Sequence, residues 1–347
     1  MATTKVTTDV IDMSGNAGGL TWAKGNTAEQ PGSPTAGDLR ENTETNRVEV
    51  YNGTAWRNLK ESSIPIPVDY LVIAGGGSGG APNAGGGGAG GLRTSYSNTS
   101  SLNGHTEASL SLSTATNYTV TIGSGASGIT GYNHGLIGSN SVFSTIAATG
   151  GGGGGYYQTP AGDDGGSGGG SQGSTGGAAV TSPVTQGYAG GSGPGGGGGG
   201  ANAVGGNGNA TTGAAGGAGL AVNILSSTNA ATASVGEVSG GDVYYAGGGG
   251  GSGNSNGLAG GIGGGGNGTG GGGTATSGDP NTGGGGGAAH TSYPSGSGGS
   301  GVVILRYPSE YAITVGAGIT EASGSPFTEG SSKISVFTAG TGTISFS

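Results

Sequence analysis

Glycine crowds the middle of this chain and limits every fold open to it. Of 94 Gly, 81 lie between residues 68 and 307, with seven before that stretch and six after it. Ordering a Gly costs more backbone entropy than ordering an Ala, by roughly 0.5–1 kcal/mol, so 81 of them cost on the order of 40–80 kcal/mol. Side-chain burial cannot offset this alone, because aromatic residues make up only 5% of the chain. Three arrangements compete. A collagen triple helix needs Gly at every third position and abundant Pro; here Gly falls in uneven runs and Pro numbers 12. Disorder is the compositional default for an aperiodic Gly/Ser-rich chain. The third arrangement is a packed array of extended, polyproline-II-like glycine helices, with three residues per turn and no internal hydrogen bonds. Its backbone N–H and C=O groups point outward and must be satisfied by neighbouring helices. The missing Cβ lets those neighbours approach, and weak Cα–H···O contacts add to the packing. Such a lattice holds only cooperatively.

Charge divides the chain where glycine does. Residues 1–67 carry six of the nine Lys/Arg and eight of the 18 Asp/Glu; residues 68–307 carry only Arg93 and Arg306 with seven acids. The formal net charge is −9 and no basic cluster occurs. Phosphate-backbone binding relies on clustered cations, so nucleic acid is not an expected partner. There is no Cys, which removes disulfides, thiolate metal sites and a Cys nucleophile. The start, MATTKVTTDV, lacks an apolar run behind its single Lys, so no leader peptide is expected. No stretch reaches the length of a membrane span.

The division predicts three regions: an N-terminal β region over 1–67, a glycine-rich domain over 68–307 and a small β region over 308–347. In the first, Arg47–Tyr51 and Thr54–Leu59 flank Asn52-Gly53, a pattern that predicts a hairpin with a type I′ turn. Residues 38–41 are expected to add a strand. Trp22 and Trp56 are expected to fill small β cores. Residues 63–67, Ser-Ile-Pro-Ile-Pro, predict an extended linker. The glycine-rich domain opens with Val68–Ala74 and closes with Gly301–Tyr307. Both are nearly continuous in apolar, β-branched residues, so both predict buried strands, and their positions invite them to pair. Shorter strands are predicted at 109–112, 118–122 and 141–146. In the tail, 333–338 and 343–346 around Ala339-Gly-Thr-Gly342 predict a hairpin. No segment has amphipathic helical periodicity. The expected class is mainly β with a polyproline-II-like glycine-helix sandwich and almost no α-helix.

Several motifs raise chemistry that their context does not support. Gly75-x-Gly77-x-x-Gly80 follows a strand, as in a dinucleotide fingerprint. The fingerprint needs a helix next and an acid about 20 residues on; Ala81-Pro82-Asn83-Ala84-Gly85 follows instead. Asp163-Asp164 lacks the recurring glycine-rich calcium repeat. His105, His134 and His290 are widely spaced. No catalytic residue, metal site or cofactor is expected. A depolymerase assembled from dispersed carboxylates remains a third alternative.

Order and spacing of several segments resemble the glycine-rich domain of bacteriophage tail-fibre proteins, especially those of marine and cyanobacterial phages. The segments are Val68–Gly77, Gly85–Arg93, Tyr245–Gly251, Asn281–Gly287 and Gly298–Tyr307. Residues 25–59 also resemble a small module of phage structural proteins. The resemblance implies a non-enzymatic virion protein, a tail-fibre subunit or tip adhesin. Its N-terminal region would meet other virion proteins, and it would be a homotrimer, like other phage fibres. Its targets would be a bacterial surface glycan or an outer-membrane protein. A head fibre, decoration or connector protein is the structural alternative. Related tip adhesins use loops at the ends of the glycine helices. Aromatic interruptions of the glycine runs are therefore the candidate receptor contacts: Tyr156, Tyr157, Gln158, Tyr188, His290 and Tyr293. Packing within the lattice is the competing role for these rings. Tyr244-Tyr245 precedes a glycine run and is expected to pack.

Overall fold

The computed structural model describes residues 23–59, 65–96, 105, 107–209, 211–271, 273–291 and 293–347. Trp22 and the start of the expected linker lie outside them. The chain divides into two compact units, residues 1–63 and 64–347.

In the first unit, four short strands follow chain order in one sheet: Ala23–Gly25, Leu39–Asn42, Arg47–Tyr51 and Trp56–Asn58. The first pair is parallel and the others are antiparallel. The hairpin forms, but not with a type I′ turn. Tyr51 pairs with Trp56, which leaves a four-residue loop. Only Gly53 takes a positive φ, at 96°. The Asn52 carboxamide oxygen instead accepts from Thr54 N, Thr54 Oγ1 and Ala55 N at 2.9–3.0 Å, an Asx-type closure. The buried face is also not the apolar one. Arg40, Asn42 and Glu49 are buried while Val48 and Val50 are only half-buried. Arg40 donates to the Gly25 and Asn26 carbonyls and lies 3.9 Å from Glu49. Asn42 bridges Glu49 and Thr27. Trp56 does not fill an apolar core: half-buried, it covers the Arg40 guanidinium at 5.7 Å and meets Tyr51 at 5.6 Å.

The second unit is organised by an antiparallel sheet whose two central strands are the predicted brackets. Ile66–Ile73 pairs with Val302–Pro308, Val302 opposite Ile73. Pro67 is the second residue of this strand rather than the end of a linker. Where Pro67 sits, only Leu110–Leu112 pairs with the strand, so the missing N–H is tolerated. The sheet continues from Val302–Pro308 through Ser332–Phe346, Asn117–Thr121 and Ser141–Phe143 to Ile146–Ala148. On the other side of Ile66–Ile73 lies Leu92–Thr94. The sheet curls until its ends approach: Arg93 Nη1 reaches the Ala147 carbonyl at 3.3 Å. The result is a nearly closed, barrel-like sheet.

Strict alternation along the strands feeds two cores. Tyr70, Val72, Val303, Leu305 and Phe337 pack with Val120, Phe143 and Phe346. Leu71, Ile73, Val302, Ile304, Ile334 and Val336 pack against residues 220–246. Burial on both faces explains why these strands are apolar almost continuously. The second layer holds a small sheet of Leu220–Ala221, Asp242–Tyr245 and Glu237–Ser239 and the helix Ser227–Ala233, capped by Ser226. Tyr245 is fully buried in it.

The expected C-terminal hairpin is replaced by one 15-residue strand, Ser332–Phe346. Residues 332–337 pair with Val303–Pro308, and 341–345 pair with Asn117–Thr121. Against Ile319–Glu321 the register shifts at Thr338, whereas Gly340, at φ 95°, stays paired with Ile319. Thr338 is the extra residue of a β-bulge, and the left-handed Gly340 lies within the strand rather than in a turn.

Between the strands run glycine-rich segments that belong to no sheet, and in 74–81 and 85–91 their amides bond from run to run. Along 74–81, the N–H groups of Ala74, Gly77 and Gly80 donate to Gly91, Gly88 and Gly85. Those of Gly75, Ser78 and Ala81 donate to Ser139, Leu136 and Asn133, and those of Gly76 and Gly79 to Gly299 and Gly296. The return run repeats the rule. Gly85, Gly88 and Gly91 donate to Gly155, Gly152 and Thr149; Gly86 and Ala89 to Gly196 and Gly199; Gly87 and Gly90 to Gly286 and Gly283. Each run thus meets three neighbours in rotation, and each neighbour also advances by three residues. The interior glycines of 75–80 and 85–91 take no positive φ. They serve through the missing Cβ, not through backbone freedom.

A loop end with neutral grooves and exposed tyrosines

The register of the glycine runs sorts their connections to two ends. At one end the runs enter the sheets. At the other they turn in loops. The run from Ile66–Ile73 reverses at 81–84, where Gly80 N donates to Gly85 O at 3.0 Å. Ala81 bridges Asn133, which brings 131–134 to this end. Gly85 N bonds to Gly155 O, so Tyr156–Thr159 turns beside them. Gln172 N then reaches Pro160 O at 2.8 Å, Gly193 N reaches Gly173 O, Ser252 N reaches Ala84 O, and Ala289 N reaches Gly80 O.

Of the residues singled out in the sequence, Tyr156, Tyr157, Gln158, His290 and Tyr293 sit on these loops. Tyr157 is 73% exposed and Tyr293 46%. Tyr156 is half-buried; its hydroxyl donates to Gln158 Oε1 at 3.2 Å, and its ring stands edge-on to His134 at 6.4 Å. Tyr188 is not with them. Its backbone bonds to Gly168 and Gly200, level with Ala89 and toward the sheets. Sequence reading missed Tyr132, which is 66% exposed on the 131–134 loop. Its signal was the same as for the others, an aromatic between glycine-rich segments in Gly131-Tyr132-Asn133-His134-Gly135.

Tyr132 and Tyr157 border a groove of about 280 Å³, completed by Pro82, Asn83, Gln172 and Thr291. A smaller pocket of about 100 Å³ shares Asn83 and Gln172 and adds Asn209, Ser252 and Asn254 among its lining. Apart from the tyrosine hydroxyls, no ionisable side chain lines either one. The Asn83 Oδ1 atom is buried without a hydrogen-bond partner. The lining can therefore offer amide and hydroxyl hydrogen bonds and aromatic faces, but no full charge.

Charge near this end is paired locally. His134 Nδ1 lies 3.4 Å from Asp163 Oδ2, and Nε2 lies 2.9 Å from the Ala161 carbonyl. Burial raises the Asp163 carboxyl above its ordinary value, and His134 opposes the shift in part. Asp164 accepts from Ala178 N at 2.6 Å. The other two histidines are elsewhere engaged. His105 is buried between the Leu92 and Ala201 carbonyls, and His290 lies 3.4 Å from Asn254 Oδ1. Among the described residues, no group of three or more His, Asp or Glu is placed to hold a metal ion, and no helix is long and apolar enough to cross a membrane. The Gly75–Gly80 fingerprint opens no helix; its amides bond to other glycine runs.

The fold and this end define a β-anchored glycine lattice that presents a cluster of loops. The family model of a glycine-rich domain matches residues 58–308, and the chain belongs to that family. No curated protein matches the chain.

Proposed function

We propose that this chain is a bacteriophage virion protein, a tail-fibre subunit or tip adhesin that touches the host cell surface with its loop end. The observation that carries this reading is the segregation of the two ends. One is closed by sheets with large apolar cores; the other collects loops bearing exposed Tyr132, Tyr157 and Tyr293. Tyrosine suits recognition, because it offers a large rigid face and a polar tip at low entropic cost. We further take the glycine runs to be polyproline-II-type helices packed as a sandwich. The three-residue rotation of hydrogen-bond partners supports this, since a helix of three residues per turn directs successive amides to three neighbours. In this reading the N-terminal unit joins other virion proteins, the assembly is a homotrimer, and the target is a bacterial glycan or outer-membrane protein.

The test is staining of cells by the fluorescently labelled full chain across a panel of cyanobacterial and other marine strains. Selective, saturable staining is expected. Absence of staining, with firm binding to capsid or tail proteins, would make the role purely structural.

A further inference from the structure

We infer that the groove between Tyr132 and Tyr157 is a binding site for an uncharged saccharide; the inference deepens the adhesin reading and rests on it for its biological setting. Three observations converge. The groove's volume of about 280 Å³ lies at the lower edge of the ~300–1,000 Å³ typical of small-molecule pockets, a size suited to a single sugar ring rather than an extended peptide. Its lining combines two exposed phenol rings with the carboxamides of Asn83 and Gln172 and the hydroxyl of Thr291. An aromatic ring carries negative charge on its face and attracts the polarised C–H groups on the flat side of a sugar. A carboxamide offers donors and an acceptor together, which matches adjacent hydroxyls of a pyranose. The lack of charge then selects among glycans. A uronate, sialate or phosphate entering here would lose water and find no cation among the lining residues, a costly transfer. An amino sugar would find no carboxylate.

Continuity adds direction. Asn83 and Gln172 line both the groove and the smaller pocket. A ring bound between the tyrosines would place a substituent, such as an acetamido or hydroxymethyl group, against Asn209, Ser252 and Asn254.

Saturation-transfer NMR on the full chain tests this with the methyl glycosides of glucose, galactose, mannose, fucose and N-acetylglucosamine, and with galacturonate as the anionic counterpart. At least one neutral glycoside should receive saturation while galacturonate does not. Tyr157→Ala should weaken the signal-giving glycoside about tenfold, and Tyr132→Ala with Tyr157→Ala should abolish it. Both rings are largely exposed, so circular dichroism should not change. Silence from every neutral glycoside, equal binding of galacturonate, or undiminished binding by the double variant would overturn the inference. Cell staining separates the two levels. Staining that survives both tyrosine changes and excess neutral glycoside would refute the groove and leave the adhesin reading standing. Saturation transfer without staining of any strain would do the reverse.

Discussion

Replacing Gly87 by Ala should destabilise the second unit, although the same change elsewhere usually stabilises. A Cβ at Gly87 would fall onto the Gly77 carbonyl oxygen, 2.7 Å from its carbon and 2.8 Å from the Ser78 carbonyl carbon. All three atoms are backbone, so no rotamer relieves the clash. One run must shift, and each is tied on three sides. Gly87 N donates to Gly286 O and Gly87 O accepts from Gly249 N, both at 2.8 Å. Overpacking costs about 1–3 kcal/mol, and two weakened backbone bonds add about 0.5–1.5 kcal/mol each. The entropic gain of Ala, about 0.4–1 kcal/mol, offsets part of this. The net loss should be about 2–5 kcal/mol, or roughly 4–10 °C in Tm for a unit of this size. Gly273 is the control. It is exposed, and its Cβ would meet only the Thr269 side chain, at 3.7 Å. Gly273→Ala should be neutral or stabilising by up to about 1 kcal/mol. Guanidinium denaturation followed by circular dichroism measures both. Both tryptophans lie before residue 64, so Trp emission follows the first unit separately and should not change. Equal midpoints for Gly87→Ala and Gly273→Ala would refute the backbone-lattice argument.

Two further outcomes follow from the paired charges. Arg40→Ala should cost about 3–5 kcal/mol by stranding the buried Glu49 and shift the Trp-emission transition alone. Glu329 accepts from Ser226 N, Asn229 Nδ2 and Arg306 Nη1 at 2.8–3.1 Å. Burial would raise its pKa, but those hydrogen bonds outweigh it and hold the carboxyl below its ordinary value of 4.5. Its contribution is therefore complete above pH 4.5 and lost as pH falls through the lower folded value. Glu329→Gln should reduce stability at pH 7 and flatten the acid side of a denaturation-midpoint profile; an unchanged acid limb would count against this assignment.

The sequence revealed the bracketing strands because burial on both faces leaves an unbroken apolar run, as in Val68–Ala74. It misled where one residue type serves two geometries. Ala339-Gly-Thr-Gly342 has the composition of a turn, but Gly340 holds its positive φ while paired with Ile319, so the sequence predicts a hairpin where one strand runs through. In Arg47–Tyr51 the alternation was visible but not the face, because Arg40 and Asn42 draw Glu49 inward. The helix Ser227–Ala233 was silent because its Ser, Thr, Asn and Ala residues carry no apolar stripe. The candidate loops were half legible. Aromatic interruptions marked Tyr156 and Tyr157, but the end on which each run turns depends on its pairing with distant runs. That is why the sequence groups Tyr188 with the loop aromatics, whereas its run places it toward the sheets, and why Tyr132 carries no stronger signal than its neighbours.

The rotation of partners gives the runs 74–81 and 85–91 a phase. Deleting one residue from 74–80 would move each later amide one step along the rotation of partners and present it to the wrong neighbour, whereas deleting three would shorten the run and keep all three pairings in step. Run length is thus counted in triplets, much as a reading frame is, while the loops that join the runs carry no such frame. Length and sequence can change freely at the exposed end so long as the glycine segments behind it stay in phase.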